Sequence, residues 1–450
     1  MNQLRVYTRT ATNLYPDGLA YSIHMSLLTA SGKETPLNRN YGLLFASAEI
    51  DENDCIVPRF LSEPCIAKTD DGWELSARVG HQYDRWFTKD FCHFEPLGMT
   101  GEAVQGADTV DVPDEIAQKA LHYWNDTIGA PFSIDPKVPQ GTQYPLARGY
   151  GDPVFLKWEG HYYFIATNDN TDNVGLYIRK SKTLEGLFSS EEKLLLGYSE
   201  ELGLMQTFWA PEFHMIGGRL SILFAVSGKQ WGPQCQIMQL KDGGAVDKPD
   251  SWTVPRPILR ADGSPLATLP TITLDMTFIR GRKPYVVWSQ RRHIGTPLDT
   301  GSMLYIAELN EDEPWRLASE PVLLSRPLFG WENVSGTINN EGPYALIANG
   351  KVWLTYSGGS ANAFTYTVGL LTADITADLL NVENWTKSPA PVLSFASVPG
   401  EYGPGHNSFF RDDDGQLWIT YHTVQGYSQH ERCVTMHKLS FTGSPSSYQS

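Results

Sequence analysis

NEGPYALIANGKVWLTYSGG, residues 340–359, places a carboxylate, Glu341, ahead of Gly342 and Pro343 and then runs apolar and aromatic residues around an Asn-Gly turn. That is the pattern of a β-hairpin. Four other segments share it: GDPVFLKWEGHYYFIATND (151–169), APEFHMIGGRLSILFAVSG (210–228), LDMTFIRGRKPYVVWSQ (274–290) and HNSFFRDDDGQLWITYHT (406–423). Their starts lie roughly 60 to 70 residues apart. Short strands such as VGLYIRKS, QIMQLK, SMLYIAEL and TVGLLTAD lie between them and would complete a four-stranded unit each time. Self-similarity at a fixed period marks a repeat architecture. Five such units over residues 145–445 predict an all-β chain built on a five-bladed β-propeller. Long helical periodicity is nearly absent, which disfavours a TIM barrel or a doubly wound sheet. A repeating β-sandwich is the structural alternative, but it leaves the regular charged strand starts unexplained.

Residues 1–140 lack this spacing and read as an N-terminal, mainly β accessory domain, with 141–450 as the catalytic unit. SEPCIAKTDDGWELSARV, from Ser62, only faintly echoes the repeat. PDEIAQKALHYW, 113–124, predicts one helix: Pro at its start, acids in its first turn, and Ile116, Ala120 and Leu121 at helical spacing. The Pro- and Gly-rich stretch 129–145 reads as a linker.

The 450 residues carry a net charge of −16, which argues against nucleic acid and anionic membrane surfaces as partners. No apolar run is long enough to span a membrane. The N-terminus, MNQLRVYTRTATNLYPDG, shows no signal-peptide run and predicts a cytoplasmic protein. Five scattered cysteines without a CxxC pair read as reduced structural thiols. Oligomeric state is not legible.

In a propeller the first strand of each blade lines the axis, so equivalent strand starts converge on one funnel. Asp152, Glu212, Asp275 and Glu341 lie at or near such starts, and His406 takes that place in the fifth. Taken singly, each acid reads as a turn residue. Mutual repulsion among four acidic starts out of five would destabilise the cluster, a cost that function would have to require. Two carboxyl groups across a pocket are the equipment for cutting a glycosidic bond: one protonated to release the leaving oxygen, the other ionised. A third raises the acid's pKa by like-charge repulsion. Phe208, Trp209, Trp231, Trp288 and Trp331 offer flat faces for a sugar; packing between blades is the competing reading.

At these residues the sequence resembles glycoside hydrolase family 43. RGYGDPVFLKWEGHYYFIAT, FWAPEFHMIGGRLSILFA, TLDMTFI and NNEGPY follow the order of the family's blade motifs, and YGPGHNSFF is similar to its exo-acting α-L-arabinofuranosidase branch. The resemblance implies an inverting hydrolase of arabino-oligosaccharides, with Asp152 as general base, Glu341 as general acid and Asp275 tuning that acid. Glu212 would be a structural or subsite residue. His406 would match an axial histidine that holds calcium or water; no cofactor is otherwise required. Arg291 would contact the sugar or Glu341, or form a salt bridge with no catalytic part. A β-xylosidase on the same scaffold and a non-catalytic sugar-binding propeller are the rival readings. Fructoside-cleaving propellers are disfavoured, since neither an Arg-Asp-Pro motif nor a Glu-Cys pair occurs. The N-terminal extension would cover one side of the funnel or mediate oligomerisation.

Overall fold

Each repeated segment forms two long antiparallel strands joined by a tight turn. The first strands are Tyr150–Trp158, Gln206–Ile216, Thr271–Arg280, Asn340–Ala348 and Tyr402–Arg411. The second strands are His161–Asn168, Arg219–Ser227, Pro284–Arg292, Lys351–Gly358 and Leu417–Val424. A third strand pairs with each second strand and a short fourth follows. The structure is a computed structural model that describes residues 2–29, 32–126 and 132–441. The second strands are apolar on both faces. Leu220 to Ser227 and Leu417 to Val424 are buried throughout, as expected of strands sandwiched between neighbouring sheets.

The first strand of every sheet packs on the first strand of the next, and that of the fifth sheet packs on that of the first. The stretch expected to be a linker helps to close this arrangement. Phe132–Asp135 forms a strand that pairs with Cys433–Phe441 of the last sheet; residues 129–131 lie outside the described residues. The linker expectation fails because Pro and Gly richness hides a short alternating run, FSID. Phe132 is buried and packs against Trp353, Phe409 and Phe441.

The N-terminal part contributes two four-stranded antiparallel sheets, one ordered Thr109–Val112, Asn2–Tyr7, His24–Leu28, Glu34–Pro36 and the other running from Ser62 to Thr100. The expected helix forms over Asp114–Leu121 and continues as a wider turn, His122–Asp126, whose Trp124 is buried and donates Nε1–H to the Phe91 carbonyl at 2.7 Å. One continuous apolar core joins Leu4, Met25, Leu43 and Trp73 of this part to Tyr285, Trp331, Leu354 and Tyr356 of the repeats. All five cysteines are free.

Each first strand breaks its ladder register near its start: between Gly151 and Val154, Trp209 and Glu212, Leu274 and Thr277, Glu341 and Tyr344, and Gly405 and Ser408. A left-handed residue sits in every break: Asp152, Ala210, Asp275, Gly342 and His406, with φ from 46° to 55°. Such bulges bend a strand and re-aim its side chains.

Phe132→Ala removes the aromatic anchor of the closing strand. The expected cost is about 3–5 kcal/mol, read as a lower urea midpoint for the whole repeat region.

Candidate active site

The five bulges open into one cavity of about 520 Å³, whose walls include Asp152, Trp209, Asp275, Arg291, Glu341 and His406. Six of the eleven residues expected at the site are therefore brought together.

Asp152 is the most heavily partnered carboxylate there. Its Oδ1 accepts from Arg432 Nη1 at 3.1 Å and faces His406 Nδ1 at 3.0 Å. Its Oδ2 accepts from the Thr167 hydroxyl. Its backbone N–H donates to His422 Nδ1 at 3.1 Å, while His422 Nε2 lies 2.9 Å from the Ala361 carbonyl, which fixes a neutral imidazole with the proton on Nε2. Burial holds His422 below its ordinary pKa and favours that neutral form. For Asp152, burial alone would raise the carboxyl; the His406 and Arg432 charges overcome it and hold the group well below the usual carboxylate range.

Glu341 goes the other way. It is only partly exposed and accepts one hydrogen bond, from the Tyr366 hydroxyl at 2.9 Å. Burial, and then the Asp275 charge, push it up to about 7. Asp275 is buried too, and desolvation raises it. Its Oδ2 accepts from Ser289 Oγ and from the Gly342 backbone N–H, each at 3.0 Å. Two donors favour the charge on Asp275 and one favours it on Glu341, so a proton shared by the pair rests on Glu341. His406 is lowered by burial but raised more by Asp152, then Asp275 and Glu341, and reaches about 9. It is an imidazolium at neutral pH.

Arg291 stands on the cavity wall in a salt bridge. Its Nε and Nη2 bind the two Asp299 oxygens at 2.8 and 2.7 Å, and Nη1 donates to Asn339 Oδ1 at 3.1 Å. Trp209 lies edge to face with Trp231, ring centroids 6.4 Å apart, and Trp231 is well exposed.

Four expectations need correction. Phe208, Trp288 and Trp331 do not line the cavity; all three are fully buried in apolar clusters. Trp288 stacks on Tyr305, and Trp331 stacks on Tyr356 with its Nε1–H on the Pro389 carbonyl at 2.9 Å. Glu212 ends the bulge, two residues after Ala210, where the ladder has resumed opposite Leu223; Ala210 holds the position equivalent to Asp152. Its buried carboxyl, raised by desolvation, faces His214 Nε2 at 2.6 Å. Sequence reasoning also missed Arg432, Asp169, His422, Tyr366 and Asn339. Arg432 Nη2 and Nε bind both Asp169 oxygens at 2.7 and 2.9 Å while Nη1 reaches Asp152. A Cβ on Gly151 would lie 2.0 Å from the Arg432 guanidinium, so that glycine makes room for the cation. The available signal was polar residues at strand ends: TND at 167–169 and HER at 430–432.

A metal at His406 would need further donors beside the imidazole. Among the described residues no three His, Cys, Asp or Glu side chains are grouped to hold an ion, and His406 Nδ1 is directed at Asp152. These residues do not make up a metal site built from several protein carboxylates and imidazoles.

The family model for glycosyl hydrolases family 43 matches residues 143–445. The chain belongs to that family. A Streptomyces avermitilis protein named extracellular exo-alpha-(1->5)-L-arabinofuranosidase is 34% identical over 67% of this chain and 60% of its own length. A Streptomyces chartreusis protein of the same name is 32% identical over 73% of this chain and 98% of its own length. The crystal structure of an alpha-L-arabinofuranosidase from Lactobacillus brevis superposes with a TM-score of 0.58 at 30% identity, covering 67% of this chain and 94% of that one. The family 43 match thus covers the repeats and leaves the first 142 residues outside. The two Streptomyces relatives are named extracellular, which corrects the cytoplasmic expectation: the absence of an apolar run near residue 1 does not decide where such a protein works. No described helix is long and apolar enough to cross a membrane.

A carboxyl held above its unfolded pKa binds a proton more tightly when folded, so its contribution to stability is present below about pH 4.5 and is lost as pH rises through about 7. Glu341→Gln is therefore expected to raise unfolding free energy by about 1–3 kcal/mol at pH 8 and by almost nothing at pH 4, measured by urea denaturation at both.

Proposed function

We propose that this protein is an exo-acting α-L-arabinofuranosidase that releases terminal arabinofuranosyl units from arabino-oligosaccharides, with α-1,5 linkages its target, by inversion. The observation that carries this reading is the opposite treatment of two carboxyls on one cavity: Asp152 held ionised by two cations, Glu341 held protonated by burial and Asp275. The names of the relatives supply the sugar. In this reading the five sheets are the blades of a five-bladed β-propeller, closed by Phe132–Asp135, and the rest of residues 1–140 forms an accessory unit; the cyclic packing of the first strands supports it.

Glu341 gives its proton to the leaving oxygen as that bond breaks. Asp152 orients water toward the anomeric carbon. Its depressed pKa makes it a weak base toward water at rest, so it takes the proton late, once attack on a positively charged sugar has made that water acidic. His406 and Arg432 keep Asp152 charged, and Asp275 keeps the proton on Glu341 through repulsion. The route needs no cofactor.

Rates on nitrophenyl α-L-arabinofuranoside and β-D-xyloside test the sugar; xyloside preference overturns it. On arabinotriose, kcat/KM is expected to fall tenfold per pH unit above about 7, the Glu341 value. Asp152→Asn and Glu341→Gln should each lose roughly 10²–10⁴ in rate. The Glu341→Gln loss should be smaller on the nitrophenyl substrate, whose leaving group needs no proton, and the alkaline limb should vanish. Product followed by proton NMR should appear first as the β-anomer.

A further inference from the structure

A second cavity, of about 540 Å³, lies between the N-terminal part and the turn that precedes the fourth repeat. Its walls carry Thr12, Asn13, Asp17, Phe60, Asn333 and Ser335. The two cavities draw on consecutive residues of one turn: Ser335 and Gly336 line this one, and Thr337 lines the other. Thr337, Asn339 and Glu341 follow one another along the chain and all line the catalytic cavity. A general acid stands beside the oxygen it protonates, and that oxygen belongs to the departing sugar. A departing chain that passes Thr337 and Asn339 reaches this second cavity.

We propose that this second cavity is a subsite for the leaving-group portion of the oligosaccharide, built jointly by the N-terminal part and the turn at 333–336. The inference rests on the hydrolase reading above. Its chemistry suits a sugar ring, which offers a flat apolar face and a rim of hydroxyls. Phe60 is 41% exposed and is steadied edge to face by Tyr21 at 5.9 Å, leaving ring surface available to the cavity. Asn333 is only 5% exposed; its amide N–H donates to the Pro327 carbonyl at 3.3 Å, and its Oδ1 has no partner among the described residues. A buried acceptor left unmatched costs stability unless a ligand or water fills it. Thr12, Asn13, Asp17 and Ser335 add exposed donors and acceptors.

The wall is held firmly. Gly18 and Gly330 meet so closely that a Cβ on either would lie 2.4 or 2.5 Å from the other's carbonyl oxygen. The Ala48 N–H donates to the Leu328 carbonyl at 2.7 Å, and Arg326 Nη2 pairs with Asp54 at 2.8 Å. A subsite made of two chain segments needs this fixed spacing.

The test compares kcat/KM on α-1,5-arabinotriose, which extends past the cut bond, with kcat/KM on nitrophenyl α-L-arabinofuranoside, whose leaving group is one ring. Phe60→Ala is expected to lower the ratio of the two roughly three- to tenfold, the scale of one aromatic contact, and Phe60→Tyr to preserve it. An unchanged ratio in Phe60→Ala, or an equal loss on both substrates, overturns the subsite while leaving the hydrolase reading intact. An unaltered protein inert on both glycosides overturns the hydrolase reading, and the subsite falls with it.

Discussion

A left-handed residue inside a bulge, set at the same point of five consecutive first strands, is the constraint from which the site follows. Non-glycine residues dislike that conformation by on the order of 1–2 kcal/mol each, and Asp152, Ala210, Asp275 and His406 all adopt it. The strain persists because the strands on either side are locked by second strands buried on both faces. In the fourth repeat the bulge residue is Gly342, and there a side chain is excluded outright: a Cβ would lie 2.8 Å from the His406 ring. The carboxylate of that repeat is displaced by one residue, to Glu341. This displacement separates the surroundings of Glu341 from those of Asp152. Asp152 and Asp275 sit on their bulges among fixed donors, whereas Glu341 precedes its bulge and receives a single hydroxyl.

Desolvation acts on all three carboxyls in the same direction, so burial alone would make three weak acids. Partners sort them. Two cations converge on Asp152, two neutral donors on Asp275, and one on Glu341. The sorting extends outward. Arg432 is aimed by Asp169, and Arg291 by Asp299, so neither guanidinium is free to swing toward Glu341 and hold it ionised. A chain with a net charge of −16 thus concentrates its few buried cations where one carboxylate must stay charged.

Much of this was legible in the sequence. The five hairpins were readable because each keeps a charged or polar start, an apolar strand and a turn, and Asp152, Asp275, Glu341 and His406 stood at those starts. The bulges were not readable, since a one-residue change of register leaves no mark on composition. That is why Glu212 looked equivalent to Asp152 when Ala210 was. Phe208 and Trp288 were misplaced for a related reason: an aromatic beside a functional residue faces the cavity or the core according to strand phase, and the bulge resets the phase; Trp331 lies outside any strand, in the turn before the fourth repeat. Arg432 and Asp152 are 280 positions apart, and only the meeting of the last repeat with the first brings them together.

The N-terminal part shares its core with the repeats, so it acts as a wall rather than an appendage. The segment between them, 326–340, is tied from both sides. On the repeat side, buried Glu332 accepts from the Phe329 N–H, Asn340 Nδ2 and the Tyr356 hydroxyl, each at 2.8 Å, and pairs with Lys387 at 2.6 Å. Burying that ion pair is costly unless every lone pair is matched, and here four donors match it. On the other side Gly18, Ala48 and Asp54 hold the same segment. A loop fixed at both faces cannot close over a substrate like a lid; it can only define a shape. The region matched by the family carries Asp152, Asp275 and Glu341, and the region outside it carries one face of the second cavity, so the two cavities draw on different parts of the sequence joined across one turn.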